Sequence, residues 1–79
     1  MKHCNVQLIW DEESDRWYTE TDDVPGMHLD SGSLDALIEK VKMIAPDMLE
    51  ITKGYRGPLS FAFKAERNES IRMPMADAI

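Results

Sequence analysis

The sequence predicts a small α+β fold with element order β-β-β-α-β, a sheet of spatial order 3-2-1-4, and one helix on one face. Three observations predict it. Residues 3–10 alternate apolar and polar side chains, and a polar run then leads into "RWYTET", so the chain opens with a β-hairpin. From Leu34 to Leu49 apolar residues recur at helical spacing. After a loop rich in glycine and proline, Leu59, Phe61, Phe63 and Ala65 alternate with more polar neighbours.

In the first strand Val6, Leu8 and Trp10 share one face, and Cys4 continues that face as a small apolar residue. "DEESD" is the hairpin turn, and Arg16–Thr21 form the second strand, with Trp10 and Trp17 placed to stack across the pair. Val24-Pro25-Gly26 is a turn, because proline presets φ and glycine accepts positive φ. Met27–Asp30 alternate in a short third strand that ends at Ser31-Gly32-Ser33. Ser33 is the helix N-cap, and Asp35 lies in the first turn, where the helix dipole favours a carboxylate. The apolar stripe runs through Pro46, so the spacing predicts one kinked helix or two abutting segments, ending near Thr52. "KGYRGP" is a loop and residues 59–66 are the fourth strand. Arg67–Ser70 read as a bend. Ile71, Met73 and Met75 fit a short further strand, which Pro74 confines to an edge.

Two short connections make the first three strands an antiparallel meander. The helix then carries the fourth strand back to the same sheet, parallel to the first if it lies beside it. The helix stripe is expected to pack on Val6, Leu8, Trp10, Leu29, Phe61 and Phe63, leaving Ile9, Tyr18 and Ala62 on the open face. One domain over residues 1–72 and a tail over 73–79 account for the chain. At 79 residues, with roughly 60% of the unfolded surface buried, such a domain is marginal alone, so self-association or a partner is expected. A lone cysteine, no apolar leader and no run long enough for a membrane span give the expectation of a soluble cytoplasmic protein.

The net charge of −6 is concentrated in residues 11–23, with seven acids and one base, while the rest of the chain is balanced. Such a segment disfavours phosphate-backbone binding and suits a basic partner, or else simply solubilises the hairpin end. The candidate partner-binding residues are therefore Asp11, Glu12, Glu13, Asp15, Asp22 and Asp23. Met73 and Met75 join them, because the apolar tail is either a disordered end or a strand that adds to a partner or a sheet edge.

No catalytic constellation emerges. His3, Cys4 and His28 match no metal-ligand spacing, and Ser33 is explained as a cap. The strand order resembles the start of a ribonuclease H-like sheet, whose nucleases need several carboxylates converging on metal ions. The centre of strand one, "NVQLIW", has none, Asp11 lies only at its end, and Glu39 and Glu66 read as solvent-facing. No enzyme activity and no cofactor are expected.

Taken together, "IWDEESDRWYTETDDVPGMHLDSGSLDALIEKVKMIAPDMLE" and "GPLSFAFKAERNESI" resemble an uncharacterised family of short prokaryotic proteins grouped with the HicB-like antitoxin superfamily. Trp10-Asp11, Trp17, Pro25-Gly26, the capped helix from Ser33 and "APDMLE" carry the resemblance by their order and spacing. It implies a partial ribonuclease H-like (HicB-like) fold and a non-enzymatic interaction module that binds a small basic protein such as a HicA-like toxin. Larger HicB-like antitoxins often carry a separate C-terminal DNA-binding domain. The chain leaves no room for one, so direct DNA binding is not expected. The alternative is a self-associating structural or regulatory protein, as a homodimer, with no toxin partner.

Overall fold

The computed structural model describes residues 1–71 of the chain. The elements are β1 (Lys2–Asp11), β2 (Arg16–Glu20), β3 (Asp30–Ser31), α1 (Leu34–Lys53) and β4 (Leu59–Glu66). The sheet order is β3-β2-β1-β4, with β1 antiparallel to β2 and parallel to β4, as the crossover argument predicts.

Alternation in β1 puts Cys4, Val6 and Leu8 in the core, and the register brings Phe61 and Phe63 beside Cys4 and Val6 on the same face. Trp10 and Trp17 are directly opposed, with ring centroids 5.3 Å apart and edge-to-face. Leu37, Val41, Ala45 and Leu49 of α1 close this core. Val24 and Met27, from the connection before β3, are also buried in it.

The helix is capped at both ends. The Ser33 hydroxyl accepts the Ala36 N–H at 3.3 Å. Gly54, in the left-handed region at φ 66°, donates its N–H to the Glu50 carbonyl at 2.9 Å. Pro46 sits inside a single helix of 20 residues rather than dividing it. Its side chain is on the exposed surface, and core residues lie one turn away on both sides, at Val41 and Leu49.

The third strand differs from expectation. Met27–Asp30 is the span that alternation predicts, whereas the ladder holds only Asp30 and Ser31. The cause is a side chain. Thr19 N–H donates to the Leu29 carbonyl at 3.0 Å, but the Leu29 N–H goes to the Thr19 hydroxyl at 3.1 Å instead of to backbone. Upstream, Met27 N–H closes onto the Val24 carbonyl at 3.2 Å with Gly26 at φ 80°, a type II turn with proline and glycine at its two central positions. Alternation nevertheless persists, with Met27 buried and His28 exposed.

Candidate protein-interaction surface

The acidic segment read from the sequence as one patch is divided by the fold. Asp11 pairs with Arg16 at one end of the hairpin, and Glu20 pairs with Gln7 at the other. Four residue steps along the strand separate these ends by about 13 Å. Asp11, Glu12, Glu13 and Asp15 therefore lie at the hairpin turn, and Asp22 and Asp23 lie beyond the far end of β2.

Several of the predicted residues are committed to the fold. Asp11 accepts the Glu13 N–H at 3.1 Å and the Ser14 hydroxyl at 2.9 Å, which holds the turn. Asp15 occupies the left-handed region at φ 53°. Glu12 accepts the Ser70 N–H at 3.1 Å. Asp23 has the most specific task. β1 outlasts β2, so Asn5 has no strand partner on that side. The Asp23 carboxylate accepts the Asn5 N–H at 2.7 Å, and the Thr21 hydroxyl donates to the Asn5 carbonyl at 2.6 Å. Two side chains thus finish the edge that β2 leaves bare. Met73 and Met75 lie outside the described residues, as does the further strand expected there apart from Ile71, which is exposed and in no strand.

The β2 end forms a shallow depression lined by Asn5, Gln7, Glu20, Thr21, Asp22 and Asp23. Three carboxylates and two side-chain amides meet there without a basic side chain in the lining. Glu20 was not singled out in the sequence. The signal was available, because inward Trp17 and Thr19 force Glu20 out beside Gln7.

The only base of the acidic segment is drawn elsewhere. Arg16 binds Asp30 through Nε at 3.1 Å and Nη2 at 3.3 Å. That contact, with the nearby positive charge, holds the Asp30 carboxyl below its usual range. Among the described residues, ion pairs join Arg16–Asp30, Lys42–Glu39, Arg56–Glu50 and Arg67–Glu69, and none engages an acid of residues 11–23. The field of these carboxylates is left uncompensated at the surface.

The remaining candidates are dispersed. His3 and Cys4 are successive strand residues on opposite faces, and Cys4 is buried. Among the described residues no group of three His, Cys, Asp or Glu side chains is placed to hold a metal ion. No helix of the described residues is long and apolar enough to cross a membrane. A second cleft, lined by Pro46, Asp47, Glu50, Tyr55, Arg56 and Leu59, has its one basic side chain, Arg56, joined to Glu50 by a contact of 2.7 Å.

Residues 3–75 match the family model described as "Domain of unknown function (DUF1902)". A hypothetical protein from the extremely thermophilic bacterium Thermus thermophilus has a similar crystal structure, with a TM-score of 0.76 and 30% identity over 89% of this chain and 100% of that one. No curated protein matches.

Proposed function

The chain belongs to the DUF1902 family of domains of unknown function, and from that premise we propose that it is a non-enzymatic interaction module, similar to a HicB-like antitoxin, that binds a small basic protein. The observation that carries the reading is the depression at the end of β2, where Glu20, Asp22 and Asp23 converge without a basic side chain in the lining. A lysine or arginine entering it meets several carboxylates, of which Asp23 is held in place by the Asn5 N–H. The hairpin-turn acids add long-range attraction that accelerates encounter. A HicA-like toxin has the required basic chemistry, and direct DNA binding by this surface is disfavoured by the same charge.

The test uses any small basic protein that is found encoded beside this gene in its host. The two purified proteins should bind, and binding should weaken steeply as salt rises. Glu20→Lys with Asp22→Lys should reduce affinity by about tenfold or more, because both side chains are exposed and neither supports the fold. Absence of such a gene product, or binding indifferent to these substitutions and to salt, defeats the proposal.

A further inference from the structure

The two edges of the sheet are treated differently. β3 is two residues long, and Lys40 Nζ covers the Asp30 carbonyl at 2.9 Å. β4 is eight residues long, contains no proline or glycine, and has β1 as its only strand neighbour among the described residues. Lys2 N–H donates to the Pro58 carbonyl at 3.1 Å, in register with Lys2 beside Leu59. In a parallel ladder this fixes the alternation: Ser60, Ala62, Lys64 and Glu66 turn their backbone groups to β1, and Leu59, Phe61, Phe63 and Ala65 turn theirs outward. The same outward residues project their side chains to the helix side. There Phe61 and Phe63 stack at 5.7 Å and remain only partly buried.

We propose that β4 pairs antiparallel with β4 of a second copy, about a two-fold axis through Ala62. A continuous sheet keeps each copy's helix-side residues on one face, so a residue must oppose one of the same parity. Centring on Ala62 sets Leu59 opposite Ala65 and Phe61 opposite Phe63, each in both directions. Every outward N–H and C=O of the strand then finds a partner. Centring on Phe61 or Phe63 leaves Ala65 or Leu59 without a strand partner, and centring on Lys64 opposes two ammonium groups. In the Ala62 register Lys64 faces Ser60, Ala62 faces itself, and no like charges are opposed. The two Phe stacks merge into one aromatic cluster.

Charge favours a second copy over the basic partner at this edge, since β4 carries one lysine and one glutamate and is neutral. Among the described residues, the chain after β4 leaves the edge free. Arg67 lies over the Trp10 ring at 3.9 Å and Ser70 reaches Glu12, so residues 67–70 head toward the hairpin turn on the β1 side.

Sedimentation of the purified full chain, without any partner, over a concentration series tests the dimer independently of the toxin reading. A dimer is expected, and Ala62→Glu, which opposes two carboxylates, should raise its dissociation constant about tenfold or more. The register is tested by oxidation. Ala62→Cys should cross-link to itself, because facing non-hydrogen-bonded residues lie about 4.5 Å apart at Cα, within disulfide reach. Ser60→Cys and Lys64→Cys should cross-link when mixed and not alone. Native Cys4 is buried and does not compete. A chain that stays monomeric overturns the proposal, as does a dimer indifferent to Ala62→Glu or lacking these cross-links. So does dimerisation that appears only after removal of residues 72–79, which would show the chain's own end on the edge.

Discussion

Asp23 shows how a surface charge can belong to the fold. Its carboxylate closes a backbone donor that the short second strand leaves open. Asp23→Ala should therefore cost about 1 kcal/mol in urea unfolding, while Asp23→Asn, which keeps an acceptor, should cost less. Nothing in "TETDD" announces this, because the need arises from a length mismatch between β1 and β2 that is fixed only when they pair. Cys4 was legible, since strand alternation placed it inward. Burial, with the nearby Asp23 charge, pushes its thiol above the ordinary range. A raised thiol stabilises the fold below the ordinary thiol range, and that contribution is lost as pH climbs through the folded value. In the native protein at pH 8 a thiol reagent should react with Cys4 only at the rate of unfolding, and addition of urea should release the full signal. Asp30 runs the other way. Its lowered carboxyl contributes above its unfolded value and ceases to do so as acid protonates it.

The helix and its boundaries are where local chemistry was most readable. Ser33 caps it as its position before an apolar stripe implied, and Ser33→Ala should cost about 1 kcal/mol by thermal unfolding. Pro46 left one kinked helix and two abutting segments both open, and α1 continues through it because the stripe on the core side is unbroken and packing outweighs one missing N–H. Pro46→Ala should restore a donor for the Lys42 carbonyl and stabilise by about 1–2 kcal/mol, measured as a higher urea midpoint. Gly26 is constrained twice, by φ 80° and by Met48 Cε, which lies 3.2 Å from where a Cβ would stand. Gly26→Ala should lower stability by about 1 kcal/mol or more. The extent of β3 was not legible, since it turns on a Thr19 hydroxyl replacing backbone in the ladder, which no propensity encodes.

For the whole molecule, the order β3-β2-β1-β4 is the one expected: the hairpin and the turn at Pro25-Gly26 make antiparallel neighbours, and the helical crossover lets β4 lie parallel to β1 at the edge beside it. The acidic surface was legible as composition but not as shape, because the register sends half of it to each end of the hairpin. That division makes the β2 end, with Glu20 added, the better binding site. The central place of β1 has a consequence in time. Its second partner, residues 59–66, is made last, so Cys4, Val6 and Leu8 must wait beside an open edge until almost the entire chain exists. The hairpin can form on microsecond timescales, but closure of the sheet needs the long-range pairing of Cys4 with Phe61 and should be the slower step. A chain released without β4 would present that waiting edge to its neighbours and aggregate instead of folding.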